Sequence, residues 1–190
     1  MLAGDEEALA ALYRRRHEKV YCFALHMAGS RSLAEDVTQE VFLMLINQGN
    51  TFDPAKGSLG AFLMGVTRNL VLRRLRRERL YVPIDGDSDT EHTLNGTRMG
   101  AEPIDDLSRI RTIESVRKAV LSLPERYREV VVLCELQEMS YAETAEILGC
   151  AIGTVRSRLH RGRALLIEKL RPAREENELA PAVKSARCLA

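Results

Sequence analysis

The stretch from Ser140 to Leu170, SYAETAEILGCAIGTVRSRLHRGRALLIEKL, constrains this chain more than any other, because it fits two helices joined by a tight turn. Ser140 followed three residues later by Glu143 is the spacing of a capping box. It predicts a helix from Tyr141 that turns Ala142, Ala145 and Leu148 inward and ends at Gly149 in a left-handed turn. A second helix restarts two residues later. At about 100° per residue, Val155, Leu159, Gly162 and Leu166 share one side, while Gly153, Arg156, Ser157, His160 and Arg161 share the other. Arginines at helical spacing also describe an ordinary solvated face. The capped first helix and the glycine turn favour DNA contact, since a short turn between two short helices presents the second to a groove. Arg156 and Arg161 stand where arginine can bridge guanine O6 and N7 or clamp phosphates.

A formal net charge of +1 over 190 residues is low for a DNA binder until the charges are mapped. Residues Arg68 to Arg79 hold six arginines against one glutamate, whereas Tyr81 to Asp106 holds seven acids against one arginine. No apolar run approaches the roughly 20 residues needed to span a bilayer, and the acidic, alanine-rich N-terminus lacks the basic and apolar regions of a signal peptide. A cytoplasmic location is expected. Cys22, Cys134, Cys150 and Cys188 show no CxxC spacing and are read as reduced thiols, the first three half buried. Cys22 and His26 share a helix face, yet no second ligand pair is visible to complete a tetrahedral metal site. His17, His92 and His160 have no nucleophile at a suggestive spacing, so the expectation is no catalytic residue, no metal and no cofactor.

The fold class expected is all-α, with two small helical domains joined by a flexible acidic linker. The boundaries are 1–80 for the first domain, 81–106 for the linker, 107–171 for the second domain and 172–190 for a tail, frayed or shortly helical. The linker has little apolar content and several turn formers, so burial cannot offset its ordering entropy, and disorder is expected in the free protein. The first domain reads as a three-helix orthogonal bundle. Glu6 to Met27 offers Leu9, Leu12, Val20, Phe23, Ala24 and Met27 for burial and is ended by Gly29. Ser32 with Glu35 is a second capping-box spacing, opening a helix that buries Leu33, Val37, Val41, Phe42 and Leu45. Leu59 to about Arg79 buries Phe62, Val66 and Leu70. The second domain reads as four helices: Ile110 to Leu121, one from Pro124 through Met139, and the helix-turn-helix. Its core is expected from Val116, Val120, Leu123, Val131, Val132, Leu136, Ala145, Ile147, Val155 and Leu159.

Two weak DNA modules on one tether gain affinity when their targets are suitably spaced. In the third helix, Thr67, Arg68, Asn69, Arg73 and Arg76 mix phosphate anchors with an amide able to read a base edge. The preceding loop, with Phe52, Lys56 and Ser58, could hold an unstacked single-stranded base, or Phe52 could staple the loop to the core. Asp36, Gln39 and Glu40 form a patch that repels phosphate and suits the arginines of a protein partner, although a solvated face is the usual explanation.

The segments AEDVTQEVFLMLI, FDPAKGSLGAFLMGVTRNLVLRRLRR and LPERYREVVVLCELQEMSYAETAEILGCAIGTVRSRLHRGRALL together closely resemble the bacterial extracytoplasmic-function (ECF) sigma factors of the sigma-70 family. The resemblance covers about residues 4 to 171, in order. It implies a non-enzymatic subunit of RNA polymerase that selects promoters and helps melt them, with residues 1–80 as sigma region 2 and 107–171 as sigma region 4. It also implies that Asp36, Gln39 and Glu40 meet the beta-prime clamp helices of core polymerase, whose beta flap is a further contact. Phe52, Lys56, Thr67, Arg68, Asn69, Arg73 and Arg76 would then serve the minus-ten element. Thr154, Arg156, Ser157, His160 and Arg161 would serve the minus-thirty-five element. An anti-sigma factor is an implied partner, a membrane is not, and the free chain is expected to be a monomer. Phe62 departs from the family's usual tryptophan, and Ala151 lacks the capping side chain often found at that N-cap, at a cost of about 1 kcal/mol. The alternative is a homodimeric helix-turn-helix regulator that binds an operator. A third possibility, an adaptor without a DNA role, leaves the arginines without purpose.

Overall fold

A computed structural model describes residues 6–47, 52–81 and 105–187. The linker segment 82–104, Cys188 and the side chains of Lys56 and of residues 172–187 lie outside the described residues. The elements are α1 (Glu6–Ala28), α2 (Arg31–Asn47), a 3-10 turn (Pro54–Lys56), α3 (Leu59–Tyr81) and α4 (Asp105–Leu121). After these come α5 (Glu125–Val131), a π-helical turn (Val132–Leu136), α6 (Tyr141–Leu148) and α7 (Ile152–Arg187). Among the described residues there is helix and turn and no strand, in agreement with the all-α expectation.

Local chemistry explains most of the boundaries. Gly29 ends α1 at φ +76°, a conformation that side chains resist. The next helix is capped by Ser30 and not by Ser32: the Leu33 amide donates to Ser30 Oγ at 3.3 Å and the Ala34 amide to the Ser30 carbonyl at 3.0 Å. With the chain already helical at Arg31, the Ser32 and Glu35 spacing falls inside α2, where it has no free amide to cap. Ser58 caps α3 by accepting from the Ala61 amide at 3.1 Å. At α6 both halves of the capping box form, Glu143 N to Ser140 Oγ at 3.2 Å and Ser140 N to Glu143 Oε2 at 3.1 Å, and Gly149 closes the helix at φ 59°, ψ 40°.

The single helix expected from Pro124 to Met139 is broken. After Val131 the backbone widens into a π-turn, with the Gln137 amide on the Val132 carbonyl at 3.0 Å, and Glu138 takes a positive φ of 56°. Four successive residues, Val130, Val131, Val132 and Leu133, are all buried, which requires neighbours on every side of the element. Val130 and Val131 join a core with Leu123, Ala145, Val155 and Leu159. Val132 and Leu133 join the other core, made by Val20, Phe23 and Met27 of α1, Val37 and Val41 of α2, and Leu63 and Val71 of α3. Each such side chain removed from water contributes about 1.5–3 kcal/mol. The core of the N-terminal bundle therefore continues into the C-terminal unit, which a reading of two separate cores did not foresee. Val116 and Leu136, expected inside, are exposed instead.

Arg128 pins this junction. Its guanidinium donates to the carbonyls of Leu121 and Leu123 at the end of α4 and to that of Met27 at the end of α1, the last at 2.7 Å. Beside it, the Nδ1 of His26 donates to the Cys22 carbonyl at 2.6 Å, so the pair that could have suggested a metal site is an intrahelical contact. Burial pushes the His26 pKa below its ordinary 6.5, opposed in part by the hydrogen bond to the Cys22 carbonyl and aided to a lesser degree by the charge of Arg117. Cys22, Cys134 and Cys150 are free and half buried.

Gly162 lets α7 lie directly on α5: a Cβ there would come within 2.7 Å of the Val131 Cγ2 and 3.6 Å of the Tyr127 carbonyl. Gly162→Val should destabilise the chain by about 1–3 kcal/mol through overpacking, read as a lower urea midpoint with unchanged slope. An unchanged midpoint would show that the contact has room to spare. For His26 the unfolded chain takes up the proton first, so its stabilising contribution is complete above pH 6.5 and is lost as pH falls below that value. The drop in melting temperature between neutral and mildly acidic pH should accordingly be smaller in His26→Gln than in the parent chain.

Candidate nucleic-acid interface

The first turns of α7 form a helix with one packed and one open side. The Ala151 carbonyl accepts from the Thr154 and Val155 amides at 2.8 and 3.2 Å, which starts the helix without a side-chain cap. Val155 and Leu159 are buried, whereas Arg156, Ser157, His160 and Arg161 are exposed and Thr154 is half buried. Ser157 Oγ donates to the Thr154 carbonyl at 3.0 Å, and the Arg156 guanidinium lies 6.0 Å from the Tyr141 ring centre on α6. The donors thus stand in the N-terminal half of a helix backed by a rigid core, the geometry that major-groove reading needs.

One neighbour of this face was not recognised from sequence. Arg126, in the first turn of α5, lies with its Cζ 4.7 Å over the Tyr127 ring, and a hydrogen bond from Arg161, then Arg126, lowers the pKa of the Tyr127 phenol. Two guanidiniums and a phenol therefore meet at one edge of the recognition helix, a donor set suited to a phosphate. Its members come from elements distant in the chain, so only the short ERYR pattern in α5 hinted at them. Arg163, by contrast, turns to the π-turn and pairs with Glu135, Nε to Oε1 at 3.0 Å.

The second basic surface is built differently. Asn69, Arg73 and Arg76 of α3 are exposed, and Arg73 pairs with Glu40 at 2.7 Å. Arg68 pairs with Glu129 of α5, Nε to Oε1 at 2.7 Å. Thr67 does not belong to the open face. It is fully buried and its hydroxyl donates to the Leu63 carbonyl at 2.6 Å, because its position on α3 points to the core between the helices. Phe52 is half buried and packs on Phe62 at 5.6 Å between ring centres, so it staples the loop onto α3. A cleft of about 350 Å³ opens beside it, lined by Phe52, Phe62, Val66 and Asn69 together with Glu146 and Ile147 of α6. The Lys56 side chain, also expected here, lies outside the described residues.

The acidic patch on α2 is partly neutralised from within. Arg74 reaches Asp36 at 3.1 Å and Glu40 at 2.7 Å. The Arg74 hydrogen bond, above all, holds the Glu40 carboxyl below its ordinary 4.5. Gln39 remains exposed and is continued along the helix by the exposed apolar residues Leu43 and Ile46. That mixed stripe was missed because the sequence reading followed charge alone. Among the described residues no group of three or more His, Cys, Asp or Glu side chains could hold a metal, and no helix is long and apolar enough to cross a membrane.

A helix-turn-helix with a basic outer face, beside a three-helix bundle whose third helix is arginine-rich, defines a two-part helical DNA-binding protein of transcription. Residues 12–81 match the family Sigma-70 region 2, and residues 113–166 match Sigma-70, region 4. The chain is 33% identical over 191 residues to the ECF RNA polymerase sigma factor SigE of Mycolicibacterium smegmatis, covering 93% of this chain and 67% of that one. To SigW of Bacillus subtilis it is 30% identical over 172 residues, covering 88% and 91%. The chain belongs to the extracytoplasmic-function sigma factors of the sigma-70 family, and its function is that of an RNA polymerase sigma factor in transcription initiation. The fold is also that of two solved sigma factors. One is RpoE from Bartonella quintana in complex with the anti-sigma factor NepR, with a TM-score of 0.69, 22% identity and coverage of 87% of this chain and 98% of that one. The other is CnrH in complex with the cytosolic domain of CnrY, with a TM-score of 0.63, 23% identity and coverage of 89% and 91%.

Arg74→Ala should let the Glu40 carboxyl return toward 4.5 in a carbon-detected NMR titration. Because both partners are about one-third exposed, stability should change by less than about 1 kcal/mol. A Glu40 titration left where it was would assign its shift to another neighbour.

Proposed function

We propose that this sigma factor reads the minus-thirty-five element with the outer face of α7 and captures and separates the minus-ten element with the loop and α3 of the N-terminal bundle. The observation that carries the reading is the recognition helix itself: Arg156, Ser157, His160 and Arg161 all point outward from its first turns while Val155 and Leu159 anchor it. Thr154 sets the start of that face and Arg126 adds a phosphate contact beside Arg161. On the other unit, Arg68, Asn69, Arg73, Arg76 and Lys56 serve the displaced strand, Phe52 shapes the loop, and Thr67 supports α3 from inside. The working units are residues 1–80 and 107–171, joined by 81–106, with 172–190 as a tail.

Core RNA polymerase is the partner of α2, whose Asp36, Gln39 and Glu40, continued by Leu43 and Ile46, meet the beta-prime clamp helices. Region 4 meets the beta flap. An anti-sigma factor is a further partner, an inference supported by the NepR and CnrY complexes of the two structural neighbours. The chain works in the cytoplasm, as a monomer when free, without cofactor. A homodimeric operator-binding regulator is disfavoured, because it gives no role to the region 2 match over residues 12–81.

Run-off transcription with purified core polymerase on genomic templates tests this reading. The chain should direct defined starts, and Arg156→Ala should weaken promoters that depend on their upstream element by about 1–3 kcal/mol while leaving polymerase association intact. Unchanged transcription from such promoters would remove Arg156 from the reader.

A further inference from the structure

A second cavity, of about 280 Å³, opens where α1, α3 and the segment after the π-turn meet. Arg16 and Lys19 reach it from α1, Gly60 from the first turn of α3, and Gln137 and Glu138 from the residues between the π-turn and α6. Leu63 and Met64, both buried, supply apolar lining. Gln137 is only 8% exposed, yet its side-chain amide has no hydrogen-bond partner among the described residues, where only its backbone amide is bonded, to the Val132 carbonyl at 3.0 Å. Unpartnered buried amides are rare in native proteins, and this one can be satisfied only from the cavity it lines. Glu138, beside it, is the one non-glycine residue of the described chain with a positive φ, at 56°. Glycine adopts that conformation freely, whereas a glutamate is strained in it.

The charges around the cavity are left open as well. A Cβ on Gly60 would lie 3.2 Å from an Arg16 guanidinium nitrogen, so a cation is held against the start of α3, an end of the helix that itself carries partial positive charge. Positive beside positive is the arrangement of an anion receptor. Arg16, Lys19 and Glu138 form no ion pair among the described residues, whereas Glu143, the other carboxylate of the lining, is already engaged by Ser140 and Ser58. We propose that this cavity binds a free acidic α-amino acid, with its two carboxylates on Arg16 and Lys19, its ammonium on Glu138 and a polar edge on the Gln137 amide. Two free cations and one free carboxylate in the site are matched by two carboxylates and one ammonium in the ligand. The volume, just below the roughly 300–1,000 Å³ of pockets for drug-sized ligands, suits a molecule of this size. The strain at Glu138 then has a use: a glycine there would relax the backbone but leave the ammonium without its counter-charge.

The test uses the full chain with L-glutamate as probe and glutarate as the analogue that lacks the ammonium, at matched ionic strength, followed by titration calorimetry and thermal melting. L-glutamate should bind saturably at a single site and raise the melting temperature. Glutarate should bind about tenfold or more weakly, because a charge-assisted contact is lost. Glu138→Gly should raise the urea midpoint of the ligand-free chain and yet weaken L-glutamate about tenfold or more, two changes of opposite sign that a purely structural residue does not produce. Gln137→Leu should weaken binding with unchanged helix content by circular dichroism, and the control Lys169→Gln, at an exposed position on α7, should change affinity less than about twofold. No saturable heat with L-glutamate, equal binding of glutarate, or undiminished binding to Glu138→Gly each overturns the proposal, and so does a Glu138→Gly chain less stable than the parent. Should Gln137→Leu lose helix content, Glu138→Gly carries the comparison alone, with the same outcomes deciding it.

Discussion

The ion pair between Arg68 and Glu129 is the constraint on which the arrangement of this protein turns. Glu129 sits immediately before four buried apolar residues, on a helix and π-turn that together touch both cores, so its carboxylate is almost wholly withdrawn from water. A carboxylate so placed is costly unless a cation meets it, and Arg68, still 22% exposed at its side chain, supplies one from the other unit. Such a pair adds little net stability against a well-packed apolar substitute, but it penalises any arrangement in which the two residues do not face each other. It therefore selects one docking of α5 on α3. The rest follows geometrically: the π-turn and Glu138 redirect the chain, α6 lands on the loop before α3, and α7 crosses α5 at Gly162.

What could be read from the sequence was local. The Ser140 and Glu143 capping box, Gly149 in its left-handed turn, Gly29 after α1 and the inward face of α7 need only neighbours a few residues away and stand as expected, whereas on α6 Ala145 is buried but Ala142, expected inside, is exposed and Thr144 is buried in its place. Ser32 was a near miss of the same kind, since a serine two residues earlier reached the free amides first. The failures share a different cause. A π-turn, a buried Thr67, exposed Val116 and Leu136, and a core shared by two units all depend on which surface another element presents, and periodicity does not contain that information. Arg126 belongs with them, because its meeting with Arg161 is made by the crossing of α5 and α7.

The near-neutral net charge acquires a structural meaning once its distribution is known. Acids and bases are not interspersed along the chain but face each other across helices: Asp36 and Glu40 against Arg73 and Arg74, Glu129 against Arg68, Glu135 against Arg163. Several arginines that sequence alone offers to DNA are thus already paired. This sorts the two basic surfaces by the work needed to use them. On α7, Arg156 and Arg161 stand exposed, so a phosphate arriving there displaces mainly mobile counterions, the situation that makes binding steeply salt-dependent.

On α3 a phosphate must instead exchange with a carboxylate of the same chain. The released group remains tethered nearby, so the entropy gained is smaller than that of a freed ion, and salt has less leverage over the step. The pairs with Asp36 and Glu40 also tie that exchange to α2, because an arginine that leaves Glu40 for DNA returns negative charge to the patch beside Gln39. Freed carboxylates suit the arginines of a protein partner, so on the assignments proposed above, nucleic acid on the basic face and protein on the acidic face would favour each other through the charges of Glu40, Arg73 and Arg74. Coupling of this kind is reciprocal by thermodynamic necessity and requires no large movement of either helix.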